Sequence, residues 1–425
     1  MWIRKIVFSG RALYLAIIIS FIASVLAFMF ILSRYYTYIE INRLNKQQEL
    51  TDNVISAVHI AMQDPEFLTF DNEQEITLFN DSTRNCFLFK KHWGVYQIIL
   101  AESHWKNITS RRFVLFGRNI GGPDAVGLYL TDHGHYLAVA GDTYLSGECY
   151  LPKLGVRKAY IDGKSFRYRE IIHGTTHTSA ERLPPLSVDL FKYFESELFS
   201  TGNPNDSLVT AGYLNKGDFE QSFRKKTIRV YDADEIVLAN IDIKGNYIVQ
   251  SAKKITIRRS ADLEDILCIA PIIEVADDFS GTLQLFALDS LLLHDDVNLT
   301  YPSALVISGF GRSSVFMDIS SGSKVAGSVM LFTDSEEGAE VMLTIDEDAE
   351  ISGMVYCAGK VSHKGSVIGS LYCDRFFLQT RQGYYENHLL DARIDPSGLA
   401  PEFTGGIVSD RGTGKNRNRI IKWLN

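Results

Sequence analysis

The hydrophobic pattern changes period once along the chain, and that change divides it. Residues 12–33, "ALYLAIIISFIASVLAFMFILS", contain no charged residue, and roughly 20 apolar residues suffice to cross a bilayer as a helix. A cleaved secretory signal has a shorter apolar core, about 7–15 residues, ending at small residues. Here the apolar run continues past Ala23 and Ala27 without a polar break, which predicts a retained anchor. The next stretch has neither Gly nor Pro until Pro65. Within it Leu50, Val54, Val58 and Ala61 fall on one helical face, and Asp64-Pro65 supplies a stop. These features predict a single helix over about residues 12–63, on the order of 75 Å long. Half of it would lie in lipid, and the other half would form a stalk packed on its own domain or beside copies of itself.

Beyond the stalk the period shortens to two. "ITLFN", "CFLFKKHWGVYQIILAES" and "RRFVLFG" are aromatic and β-branched runs separated by polar breaks, which predict a small antiparallel sheet. Short alternating runs then continue to about residue 380, interrupted by the polar stretch "HGTTHTSAERLPPLS", a helical segment "VDLFKYFESELF" and the loop "STGNPNDS". Near the end the chain reads almost the same line twice. Gly353, Tyr356 and Cys357 recur sixteen residues later as Gly369, Tyr372 and Cys373, and Gly147 precedes Tyr150 at the same step. Parallel coils stacked at about 4.7–4.9 Å place like residues over like, so the sequence repeats at the coil length. The expected fold is mainly β: an interrupted β-solenoid (β-helix) preceded by a long N-terminal transmembrane and stalk helix and a small antiparallel sheet.

The expected organisation is an anchor at 1–33, an extracytoplasmic stalk helix at 34–63 and a small sheet at 64–117. First solenoid coils follow at 118–165, an insertion with a helix at 166–226, the main solenoid at 227–380, and a C-terminal cap with a basic tail at 381–425. In this scheme Gly353 and Gly369 occupy one corner, Tyr356 and Tyr372 form a ladder, and Cys357 and Cys373 form another.

Composition changes this picture little. A chain of 425 residues with 46% hydrophobic and 22% charged residues is ordinary for a folded protein, and its net charge of −8 gives no general reason to expect nucleic-acid binding. Five dispersed cysteines suggest neither a disulfide framework nor a zinc site, and no cofactor or metal is expected. Charge does orient the anchor. Arg4, Lys5 and Arg11 precede the apolar run, so the positive-inside bias puts the N-terminus in the cytoplasm and the large domain outside a cytoplasmic (inner) membrane.

Two resemblances follow from these residues. The long helix followed by a small sheet, residues 1–117, resembles type IV pilins and the pseudopilins of secretion systems. Gly10 stands where prepilins are cut, while the Glu that most major subunits carry is absent from the apolar run. The sixteen-residue coils with a G-x-x-Y step, residues 318–375, resemble the β-helical rungs of bactofilins, with an echo at 137–155. The anchor, the insertion and the folded C-terminus depart from the compact bactofilin pattern, so filament formation is not carried over. The combined layout resembles uncharacterised envelope proteins of the Bacteroidota, which adds no mechanism.

Candidate chemistry is sparse. Asp132-His133-Gly134-His135 places two histidines one residue apart, but the pattern suits a turn better than a metal site. His173 and His177 have ligand spacing only on a helix, and Gly174 argues for a loop. "DGKS" at 162–165 lacks the earlier glycine of a phosphate-binding loop, where Lys158 stands. "GFGRSS" at 309–314 lacks the last glycine of a dinucleotide loop. Asp277-Asp278 and Asp295-Asp296, eighteen residues apart, are similar to the paired catalytic carboxylates of β-helix glycosidases and lyases, although turn formation accounts for them directly. The five basic residues from Arg411 to Lys422 predict a solvated positive tail or a contact with an acidic partner.

These readings predict a non-catalytic, membrane-anchored structural or assembly protein of the cell envelope, a pilin-like minor subunit among the candidates. The expected partners are the membrane, through one helix, and other envelope proteins or copies of the chain. Polysaccharide is a further candidate; nucleic acid is not expected. The alternative is a membrane-tethered, carbohydrate-active β-helix enzyme.

Overall fold

The computed structural model describes residues 10–63, 67–78, 85–122, 125–200, 206–215, 217–334, 338–406 and 418–424. Arg4 and Lys5, the helix stop at Asp64-Pro65, most of the "STGNPNDS" loop, and Arg411, Lys415 and Arg417 of the tail lie outside them. The chain divides into two compact units. One comprises Met1–His59, Gln74–Leu88 and Ala101–Arg111; the other comprises Ile60–Glu73, Phe89–Leu100 and Arg112–Asn425.

In the first unit one α-helix, Gly10–Gln63, runs without a break to its end in the second. It is long and apolar enough to cross a membrane, and its apolar residues from Leu13 to Leu44 are exposed except Val25, which is half-buried. The next turns differ. Leu50, Val54, Ala57 and Val58 are fully buried, as the helical spacing predicts. At roughly 1.5–3 kcal/mol per buried aliphatic side chain, this face fixes the stalk to its unit. Thr51 and Ser110 hydroxyls meet at 3.0 Å, and the Lys46 ammonium sits 5.3 Å from the Trp105 ring. The helix thus packs on the sheet segments of its own unit. Strands Asn85–Trp93, Tyr96–Trp105 and Ile108–Asn119 succeed one another through two-residue turns, with Gly94 and Lys106 at positive φ. Such turns suit antiparallel hairpins because their twist matches that of the strands.

The second unit is dominated by parallel pairing. Asp262–Val275 pairs in parallel with Ser280–Leu293, and that strand with Asn298–Ser308. Asn298–Ser308 then pairs with Lys324–Phe332, which pairs with Glu350–His363 and so with Ser366–Thr380. Register sets Gly327 against Gly353 and Gly353 against Gly369; Tyr356 faces Tyr372 and Cys357 faces Cys373. The sixteen-residue repeat is therefore a ladder of equivalent positions. Alternate residues point to opposite faces. Val355, Cys357, Leu371 and Cys373 join one long core between the ladders, while Met354 and Tyr356 join a second core on the other face.

The order of the ladders differs from the order of the sequence. Ser366–Thr380 pairs with Val126–Leu130, so that Tyr372 faces Tyr129 and Cys373 faces Leu130. Val126–Leu130 pairs with Glu148–Leu151, and that strand with Thr176–Thr178. Strands Val126–Leu130 and Glu148–Leu151 thus stack beyond Ser366–Thr380, far later in the chain. Residues 172–178 and 207–221, which the sequence assigns to the insertion, belong to the ladders instead: Ile172–His173 pairs with Tyr144–Ser146, and Ser207–Thr210 with Ile228–Asp232. Of the residues between them, 179–200 are described, and this segment runs along the outer face of the ladders. The Tyr356 hydroxyl donates to Pro184 O at 3.1 Å, Phe191 and Phe194 lie against Phe332 and Phe286, and the Gln250 amide donates to Phe199 O at 2.9 Å. Its helix, Val188–Lys192, continues as a π-turn, Tyr193–Leu198.

That strap explains the apolar runs. Strand segments carrying Leu267 and Ile269, Phe286, Ala304 and Val306, and Met330 and Phe332 are buried on both faces, so alternation gives way to continuous hydrophobic sequence. Trp93, Tyr96, Phe113 and Leu424 complete the cover. Gln284 secures the turn at Gly94: its Oε1 accepts from Val95 N at 2.9 Å and its Nε2 donates to Trp93 O at 3.0 Å.

The predicted solvated tail is corrected at its end. Asn418–Leu424 forms a strand antiparallel to Ile108–Asn119, and the Lys422 ammonium bridges Glu264 at 3.1 Å and Asp265 at 2.6 Å. Ile420, Ile421 and Trp423 supply the β-forming residues that the basic run obscures.

Candidate interaction surface

The repeated tyrosines build a single aromatic column. Register aligns Tyr356, Tyr372, Tyr129, Tyr150 and His177. Successive ring centroids lie 6.4, 5.9, 5.3 and 4.8 Å apart, within the range where offset aromatic pairs attract. The strap crosses this column: Ala180 N donates to the Tyr129 hydroxyl at 3.2 Å, and that hydroxyl lies 3.4 Å from Arg182 O. The outer face of these ladders therefore combines stacked rings with backbone polar groups of the strap. Sequence reasoning finds the pairs Tyr356–Tyr372 and Gly147–Tyr150 but not their union, which depends on residues 126–130 stacking beyond 366–380.

Each residue singled out for chemistry has a structural place. Asp132 accepts from Gly134 N at 2.9 Å and Lys153 N at 3.1 Å, closing a turn. These two backbone donors hold its carboxyl below the usual range. His133 reaches Asp374 at 2.7 Å. His173 and His177 stack on Tyr144 at 4.7 Å and Tyr150 at 4.8 Å. Asp162 and Gly163 both have positive φ and form the turn of a hairpin in which Ile161 pairs with Lys164, a type I′ arrangement. Gly311 turns the "GFGRSS" segment, whose Arg312 pairs with Asp289 at 2.7 Å.

The acidic pairs do stack at one edge. Asp278 N donates to Asp295 O at 3.1 Å, and Asp295 N to Asp277 Oδ1 at 3.2 Å. Asp278, Asp296, Gly322 and Asp348 adopt φ of 59°, 56°, 70° and 61°. The same turn thus recurs before successive parallel strands in the left-handed conformation, which Asp and Gly tolerate better than other residues. Corner geometry explains the acids. Among the described residues no group of three or more His, Cys, Asp or Glu is arranged to hold a metal ion.

All five cysteines are buried, free thiols. Burial pushes Cys149, Cys268 and Cys357 up to about 12 and Cys373 well above the ordinary thiol value. The thiolate is the reactive form, so a thiol reagent such as Ellman's is expected to titrate none of them in the native chain and all five in guanidinium. Rapid native labelling would contradict the packing of Cys357 over Cys373.

No protein-family model matches the chain, and neither a curated protein nor a solved structure does.

Proposed function

We propose that the chain is a membrane-anchored structural or assembly protein of the cell envelope, with its parallel ladders forming an interrupted β-solenoid outside the cytoplasmic membrane. The observation that carries this reading is the continuous helix Gly10–Gln63. Its first part is exposed and apolar, and Leu50, Val54, Ala57 and Val58 are buried. One rigid element can therefore act as both anchor and stalk. The packing of its second half on a small sheet in the same unit supports the pilin-like reading of residues 1–117. The use of Asp278, Asp296 and Asp348 as left-handed corners favours assembly over a carboxylate enzyme. Stacked coils suit such a role because each needs its neighbours to bury its apolar face, giving a stiff body with long outer faces.

Protease added outside the cytoplasmic membrane of spheroplasts is expected to degrade residues beyond the anchor, leaving a membrane-protected fragment of a few kilodaltons. Full protection of the large domain in intact spheroplasts, with digestion only after lysis, would overturn the orientation. Purification from native membranes is expected to bring down other envelope proteins or further copies of the chain.

A further inference from the structure

We propose that the surface built by residues 153–169 binds an acidic, carboxylate-bearing polysaccharide. Six basic residues lie in this stretch against the single acid Asp162, in a chain whose net charge is −8. All six are exposed, as are Tyr160 and Tyr168. The stretch comprises strand Val156–Lys158 and the hairpin Tyr160–Ile161 with Lys164–Ser165.

The contacts hold bases and rings together. The Arg157 guanidinium lies 4.4 Å from the centroid of Tyr136. Lys158 donates to Tyr168 O at 3.1 Å and Arg169 O at 3.0 Å, and its ammonium is 5.3 Å from the Phe166 ring. These contacts are with rings and carbonyls, and among the described residues no carboxylate pairs with either charge. Tyr168 packs edge-on against Tyr144 and Phe166. Two bases are neutralised locally, Lys164 by Asp391 at 2.6 Å and Arg167 by Asp142 at 2.8 Å, and these pairs fix the frame around the others. The result is a set of exposed cations with aromatic rings close by, Arg157 over Tyr136 and, on the opposite side of the strand, Lys158 beside Phe166.

Uronic-acid chains match both features. A sugar ring presents a C–H face that packs on an aromatic ring, and its carboxylate suits a guanidinium, which donates in a planar fork. Tyr160, with 72% of its surface exposed, is available for such packing. An acidic polypeptide would satisfy the charges without using the ring. The choice of a glycan over nucleic acid rests on the extracytoplasmic placement proposed above.

The test uses the full chain in nanodiscs of zwitterionic lipid, with polygalacturonate as probe and dextran and poly-glutamate as comparisons. Polygalacturonate is expected to bind at least tenfold more tightly than either. The combined variant Lys153→Gln, Arg157→Gln, Lys158→Gln and Arg169→Gln is expected to weaken that binding at least tenfold. Tyr160→Ala should weaken it about threefold, whereas Lys225→Gln with Lys226→Gln, in another exposed basic stretch, should leave it unchanged. Equal binding by the wild type and the fourfold variant would overturn the proposal, and poly-glutamate binding as tightly as polygalacturonate would assign the surface to an acidic protein. Salt gives an independent reading without any substitution, because contacts between exposed charges weaken as ionic strength rises. Affinity that does not fall between about 50 and 200 mM salt would also overturn it. Failure of the spheroplast experiment would remove the glycan as a cellular partner but leave this binding result standing, so the two failures are distinguishable.

Discussion

Gly353→Val is expected to destabilise the chain by roughly 2–6 kcal/mol, combining overpacking and backbone strain of about 1–3 kcal/mol each. Gly353 has φ of +144°, and a Cβ there would lie 1.9 Å from the carbonyl oxygen of Gly327. The same approach recurs one coil on, where a Cβ at Gly369 would lie 1.8 Å from Gly353 O. These obstacles are backbone atoms held by ladder hydrogen bonds, so the neighbouring strand cannot move aside as a flexible side chain would. Gly383 separates the two contributions. Its φ is +155°, but nothing lies within 4 Å of its Cβ position, so Gly383→Val should cost only the backbone strain, about 1–3 kcal/mol. The midpoints of guanidinium unfolding measure both variants. Equal loss at the two positions would show that close approach between coils is not what requires glycine at 353.

The features legible in the sequence are those with a fixed period. Leu50, Val54 and Val58 share a helical face whatever they pack against, and their burial follows. Tyr356 and Tyr372 announce each other because equivalent places in neighbouring parallel strands carry the same residue. The order of the strands is another matter. Tyr372 faces Tyr129 although 243 residues separate them in the chain, and a strand carries no mark of which neighbour it will meet. Two-sided burial is similarly silent: Phe286 and Met330 read as core residues whether or not a strap covers them. The C-terminal strand is hidden by its own charge, because Lys422 looks like a solvated residue until Glu264 and Asp265 are seen beside it. The acidic pairs are legible as corners because a left-handed turn selects Asp locally. The basic and aromatic surface at 153–169 is visible as composition, but its use as a surface depends on side chains such as Tyr136 and Tyr144, brought in from elsewhere.

Arg229→Leu is expected to cost about 3–5 kcal/mol, the range for removing one partner of a buried ion pair. The Arg229 and Asp206 side chains are 4% and 8% exposed, and Nε lies 2.8 Å from Oδ2. Arg229 also donates through a terminal nitrogen to Gln250 Oε1 at 2.7 Å, while Gln250 Nε2 donates to Phe199 O. One guanidinium therefore ties the end of the strap to the strand Ile228–Asp232, the ladder neighbour of Ser207–Thr210. Leucine would strand a carboxylate and an amide oxygen away from water. Removing both charges should be milder, since a buried pair repays its desolvation poorly and apolar replacement can be nearly neutral. Arg229→Leu with Asp206→Leu should thus be more stable than Arg229→Leu alone, and a double-mutant cycle on unfolding free energies measures the coupling. Strictly additive losses would mean that the two side chains do not depend on each other. Limited proteolysis supplies a local reading: Arg229→Leu should increase cleavage near Phe199 and Asp206 before the ladders unfold, because Gln250 holds Phe199 O and Arg229 holds Asp206.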